Sequence, residues 1–172
     1  MRHLNLHPDC LPGPISNITA TIEETDEGCR AKFLLMGDIN SIKLPDLTLP
    51  KRRDFLWKTT CFEIFWQKEG ETAYKEFNIS PSLEWACYEF ETFRKNSKDG
   101  LASVAIDRSS KQSELEISCL ISSPLSTPAR VALNAIVEDL DSNIQFWALA
   151  FPPGKAEFHS DVCRQWRLEQ RK

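Results

Sequence analysis

Along much of this chain apolar and polar residues alternate one by one, the period of a strand with one buried face. Over residues 113–121, Leu115, Ile117, Cys119 and Ile121 form an apolar row, with Glu114, Glu116 and Ser118 facing the other way. Ile18, Ala20 and Ile22 alternate with Thr19, Thr21 and Glu23 in the same manner. The turn signal Asp26-Glu27-Gly28 then leads into an apolar stretch over 29–36, so the two segments predict a hairpin. Over 129–138, Val131, Leu133, Ala135 and Val137 are set against Ala132, Asn134, Ile136 and Glu138. Asp139-Leu140-Asp141-Ser142-Asn143 supplies a turn, and 144–151 is the expected partner strand. A helical stripe through Val131, Asn134, Ala135 and Glu138 competes for this segment; its β-branched residues and the turn that follows favour strand. Strands at roughly 8–12-residue spacing, with prolines and glycines mostly at the joints, predict an all-β antiparallel sandwich or barrel.

The connections are read from breakers. Residues 44–53 hold Pro45 and Pro50 and end in Lys51-Arg52-Arg53, 95–100 is a polar turn, and 122–128 is rich in Ser and Pro. None has the length of an interdomain linker, so residues 1–172 are expected to form one domain. A chain of 172 residues buries roughly 70% of its unfolded surface and needs neither disulfide nor metal to fold. The net charge of −4, without a basic block, argues against nucleic acid as a partner. No apolar run approaches the ~18 residues of a membrane span, and Met1–Asp9 lacks the apolar stretch of a signal peptide. The expected location is therefore the cytoplasm, with no membrane partner and with all six cysteines reduced. No pair of cysteines makes a CxxC, and Cys61, Cys87 and Cys119 fall in apolar segments where Cys acts as a small core residue.

Candidate chemistry concentrates between residues 52 and 94. On a strand over 60–66, Phe62, Ile64 and Trp66 share one face, while Cys61, Glu63 and Phe65 share the other. A carboxylate on so apolar a strand is costly unless it is hydrogen-bonded. Glu63 is thus either paired inside the fold or the polar anchor of a ligand cleft. The next strand places Tyr74, Glu76, Asn78 and Ser80 on one strip, away from Phe77 and Ile79. This strip is either an ordinary solvated face or a row of ligand contacts. A third strand alternates Trp85, Cys87 and Glu89 with Ala86, Tyr88 and Phe90, and Arg94 follows it. Trp85 stands just after a turn, where an indole either joins the core or lies at a rim and stacks on a sugar. Near the end, Pro152-Pro153-Gly154 would swing Phe158 and His159 back over the sheet. His159 is the only histidine beyond residue 7, and it has a structural reading as well as a functional one.

Nucleotide and metal motifs are missing: the sequence has no GxGxxG, Walker loop, HExxH or GxSxG elbow. Glu63 and Glu76 could act as the two carboxyls of a hydrolase if neighbouring strands bring them together.

The runs Leu56-Trp57-Lys58-Thr59-Thr60-Cys61-Phe62-Glu63, Tyr74-Lys75-Glu76-Phe77-Asn78-Ile79-Ser80-Pro81 and Trp85-Ala86-Cys87-Tyr88-Glu89-Phe90 resemble DOMON-like proteins related to family 9 carbohydrate-binding modules. Phe146-Trp147-Ala148-Leu149, Pro153-Gly154-Lys155 and Phe158-His159 extend the likeness, which covers roughly residues 4–168. The resemblance implies an immunoglobulin-like or jelly-roll β-sandwich with a ligand cleft on one sheet. In the sugar-binding branch it implies an oligosaccharide or other small-molecule ligand, clamped by two tryptophans, for which Trp57 and Trp85 stand here. Glu63, Tyr74, Glu76, Asn78, Tyr88, Arg94 and His159 complete that expected site. In the haem-binding branch it implies axial Met and His ligands, for which Met36 and His159 are the candidates; outside that alternative no cofactor and no metal are expected. Many members carry Phe-His-His near the end, whereas this chain has Phe158-His159-Ser160. The expectation is non-catalytic carbohydrate binding, with haem binding or hydrolysis through Glu63 and Glu76 as alternatives.

Overall fold

The computed structural model describes residues 1–170. Twelve strands form in chain order: β1 (Arg2–Leu6), β2 (Ile15–Thr25), β3 (Gly28–Gly37), β4 (Cys61–Lys68), β5 (Tyr74–Ile79) and β6 (Trp85–Phe90). They continue as β7 (Lys98–Asp99), β8 (Ser103–Lys111), β9 (Glu114–Ser122), β10 (Ala129–Glu138), β11 (Ile144–Ala148) and β12 (Trp166–Leu168). All pair antiparallel in the order β7-β6-β5-β4-β10-β11-β1-β2-β3-β9-β8, with β12 alongside the start of β10. Among the described residues no helix is long and apolar enough to cross a membrane.

The expected two sheets are halves of one ladder. β1 joins them by changing partner midway: Leu4 pairs Ile18 of β2, while Asn5 pairs Ala148 of β11. The ladder is strongly curled. In a flat sheet β3 and β4, five places apart in the order, would lie about 24 Å from each other. Instead the Phe33 and Phe62 rings meet at 5.0 Å across the core. At the far side the chain leaving β7 runs through Gly100–Ala102 into β8, so covalent connection spans the gap that hydrogen bonds leave open.

The two halves differ in what covers their outer faces. In β2, β3 and β9 the inward residues Ile18, Phe33 and Ile117 are fully buried while Glu23, Arg30 and Glu116 meet water. That one-sided burial produces the clean alternation in the sequence. In β4 and β10 almost every residue is buried on both faces. Phe62, Ile64, Leu133 and Val131 fill the inner core, while Phe65, Ala132 and Ile136 pack outward under a second layer of chain.

Candidate functional site

That second layer comes from two segments. Around the turn Leu56–Lys58, Leu56 packs on Cys61 and Ala86. The stretch is pinned along β6 by hydrogen bonds from Arg53 N–H to Trp85 O (2.9 Å) and from Trp85 N–H to Lys51 O (3.1 Å). From the other side residues 149–165 fold back, and Phe158 and Cys163 pack with Phe65 and Ile136. Between the covers lies a cleft of about 560 Å³, floored by Glu63 and Glu76 and walled by Phe90, Phe146 and Phe158. Phe55 and Trp57 stand at its mouth, 63% and 48% exposed. Phe55 occupies the left-handed backbone region (φ 64°), which turns the chain there, and Lys58 Nζ lies 4.7 Å from the Phe55 ring and 5.9 Å from that of Trp57.

Strand register explains the polar floor. Asn134, Glu63 and Asn78 sit directly opposite one another across β10, β4 and β5, and Glu76 lies two residues before Asn78 on the same strip. All four side chains are nearly or fully buried. Asn78 Nδ2 donates to Glu76 Oε1 at 2.7 Å, whereas neither polar atom of Asn134 has a partner among the described residues. Burial first, then the charge of Glu76, push the Glu63 carboxyl well up; Arg94 opposes them. Burial also raises Glu76, against the pull of the Asn78 amide. The pair therefore keeps a proton above the pH at which an exposed Glu releases it.

His159 closes one end. Its Nδ1 is 2.7 Å from Tyr74 Oη, which also accepts a hydrogen bond from Arg94 N–H (3.2 Å). Tyr74 donating to Nδ1 leaves the ring proton on Nε2, 3.5 Å from Glu76 Oε2. Burial, with Arg94 and Arg164 nearby, lowers the His159 pKa to about 4, so at neutral pH the imidazole is uncharged. Arg94 is held by a two-pronged hydrogen bond to Glu157, Nε and Nη2 both donating at 2.9 Å. Burial would raise Glu157, but Arg94 and the His159 N–H together hold it below the ordinary range. At the opposite end Tyr88 Oη donates to Asp54 Oδ1 at 2.6 Å, and Arg52 donates to the same oxygen at 2.9 Å. Those two bonds hold Asp54 down, while burial and then Asp54 raise Tyr88.

The cleft thus brings together Trp57, Glu63, Glu76, Tyr88, Arg94 and His159 of the residues expected from sequence. Asn78 lies beneath it, and Tyr74 acts on it through His159. Trp85 is elsewhere. It pairs with the buried Ile79, shares the inward face with Cys87, and packs against the inner core. The correction follows from period two: Tyr88 on β6 points outward, so Trp85 three residues earlier must point inward. Met36 and His159 are likewise not neighbours. Met36 follows the inward Leu35 and so faces out from β3, whereas His159 lies over the outer face of β4 and β5, with the core between. They cannot ligate one haem in this arrangement. Asp54, Phe55 and Glu157 belong to the site and were not expected; their only sequence signal is proximity to the Trp57 and His159 segments. Among the described residues no cluster of His, Cys, Asp and Glu could hold a metal ion.

No family model and no curated protein matches the chain. One solved structure does resemble it: a "putative carbohydrate-binding protein" from Bacteroides uniformis, with a TM-score of 0.57 and 11% identity. The match covers 86% of this chain and 75% of that one. At that identity it shows a shared fold.

Proposed function

We propose that the cleft binds a carbohydrate and does not turn it over. The observation that carries this reading is the meeting of two exposed aromatic rings, Phe55 and Trp57, with a buried polar floor of Glu63 and Glu76 in one concavity. A sugar presents a C–H face to an indole and hydroxyls to placed polar groups, and small-molecule sites combine those two features. In this reading Trp57 stacks, Phe55 takes the place assigned to a second tryptophan, and Glu63, Glu76 and Arg94 engage hydroxyls. A carboxyl that burial keeps protonated offers a donor as well as an acceptor, which suits a neutral polyol. The fold shared with the Bacteroides uniformis protein supports the assignment. So does the sequence likeness to DOMON-like proteins of the family 9 module group.

The two buried carboxyls, both raised by burial, favour one second reading, hydrolysis with Glu63 or Glu76 as general acid. A single experiment separates the two. Tryptophan fluorescence is followed while mono- and oligosaccharides are titrated in, and the same mixtures are assayed for new reducing ends. Binding predicts a saturable signal that is lost in Trp57→Ala and partly retained in Glu63→Gln, without product. Product formed by the parent protein and abolished in Glu63→Gln would establish the hydrolase instead. No signal and no product across the panel would end both readings.

A further inference from the structure

A second concavity of about 610 Å³ lies on the other side of His159 and Tyr74, and three arginines line it together with Lys68 and the acids Glu69, Glu71 and Asp161. Arg130 on β10 is directly opposite Arg167 on β12, so two guanidinium side chains leave neighbouring strands on one face. Like charges in that relation repel. Arg164, three residues before Arg167, lines the same concavity at 2% exposure. Its guanidinium lies 4.5 Å above the Tyr74 ring, Nη2 donates to His159 O at 3.0 Å, and Nε has no partner. Arg130 is satisfied only by main-chain carbonyls, Nε donating to Arg164 O (3.3 Å) and Nη2 to Asp161 O (3.1 Å).

Among the described residues none of the three makes an ion pair. Of the acids that share the concavity, Glu71 is held by Lys68 at 2.6 Å, and Asp161 acts on Arg164 through its charge without forming an ion pair. A buried cation without an ion pair is costly, and burial lowers the Arg164 pKa, with Tyr74 and Asp161 acting against it. Guanidinium forks match the oxygens of a phosphate-type group, and a dianion offers enough oxygens to engage three of them at once.

We propose that Arg130, Arg164 and Arg167 form an anion site that takes the phosphoryl or sulfuryl group of a small ligand. This site stands apart from the acid-floored cleft and does not depend on what that cleft binds. Such an anion relieves the opposition of Arg130 and Arg167 and supplies, at the mouth of the concavity, the negative charge that the buried Arg164 has no ion pair to provide.

The test titrates inorganic phosphate and inorganic sulfate into the full chain at pH 7.5, at ionic strength held constant with chloride, reading heat of binding and thermal midpoint. Saturable binding of either ion is expected, at least tenfold weaker in Arg130→Gln/Arg167→Gln. Arg167 is exposed, so Arg167→Gln alone keeps the fold and should weaken binding several-fold, which covers the case in which the double variant does not fold. Repeating the phosphate titration at pH 5, where phosphate is a monoanion and sulfate still a dianion, identifies which group is preferred. Absence of binding beyond the chloride control, or unchanged affinity in Arg167→Gln, overturns the proposal.

Discussion

His159 should set the acid limit of this fold. Its ring is packed edge-on against Phe65 and Phe90 at 5.0 and 5.1 Å, and burial is the main reason its pKa falls from 6.5 to about 4. Arg94 and Arg164 lower it further, while Glu157 pulls the other way. The unfolded chain takes up a proton as pH drops through 6.5, and the folded chain refuses it until about 4. The stability tied to a neutral His159 is therefore complete above pH 6.5 and is lost as pH falls toward 4. At about 1.4 kcal/mol per pH unit that gap amounts to roughly 3 kcal/mol. The perturbation is His159→Gln, which keeps a hydrogen-bonding side chain and removes the titration. Urea unfolding, followed by tryptophan fluorescence at intervals from pH 7.5 to 4.5, gives the stability difference between parent and variant. Glu63 and Glu76 titrate in the opposite sense, but they are present in both proteins and cancel in the difference. A Glu76→Gln background removes the carboxyl that faces His159 and provides a control for coupling. The parent should lose most of the roughly 3 kcal/mol relative to the variant across this range. A difference that stays constant with pH, or that grows in favour of the parent on acidification, would refute a neutral buried imidazole.

Glu63→Gln should stabilise the protein at pH 8 and flatten its pH profile. A carboxyl raised by burial favours the fold while protonated, and that favour fades as pH rises above 4.5; paired urea midpoints at pH 5 and 8 check this. Trp57→Ala should leave the unfolding midpoint nearly unchanged, because Trp57 is 48% exposed, while reducing sugar affinity by about 1–3 kcal/mol, a magnitude extrapolated from aromatic–base stacking. Trp85→Ala should instead lower stability by about 2 kcal/mol, since that half-buried indole packs against the inner core; calorimetric unfolding distinguishes the pair. If the chain works in the cytoplasm, as we propose, all six thiols should react with a thiol reagent in denaturant without prior reduction. In the folded protein only the half-buried Cys10 should react readily.

How much the sequence discloses depends on whether a strand has one covered face or two. Leu115, Ile117, Cys119 and Ile121 alternate with polar partners because water lies on the outer side of β9, and the segment predicted over 113–121 forms as Glu114–Ser122. The segment over 129–138 and the turn to its partner strand form as expected, the turn held by Asn143 N–H donating to Asp139 Oδ1 at 2.8 Å. In β4 both faces are buried, so periodicity separates Glu63 from Phe62 without saying which side is the inner core. The acid on the apolar strand was a sound pointer to the cleft because an ionisable group is seldom buried without a reason. Nothing local, however, separates Trp85 from Trp57: one packs half-buried against the inner core and the other stands at the rim of the cleft, according to how residues 51–58 are pinned along β6. Asn134 and Glu157 reach the site through register and a returning C-terminal segment, relations between residues far apart in the chain.

The seam made by β1 also constrains the order in which the molecule can assemble. Of the described strands this one is made before the rest and can join β2 soon after, since Leu4 and Ile18 are close in sequence. Its other edge waits for Trp147, the partner of Leu6, so the curl cannot be fastened until β11 has been made. Such a distant closure slows folding more than it weakens the finished structure, because the entropy of a long loop grows slowly with length but must be lost before the contacts form. During synthesis the β1–β2–β3 unit therefore carries two bare edges, that of β3 until β9 is made and that of β1 until β11 is made. The aggregation-prone interval is thus set by how far along the chain β9 and β11 lie, and not by the strands whose edges wait for them.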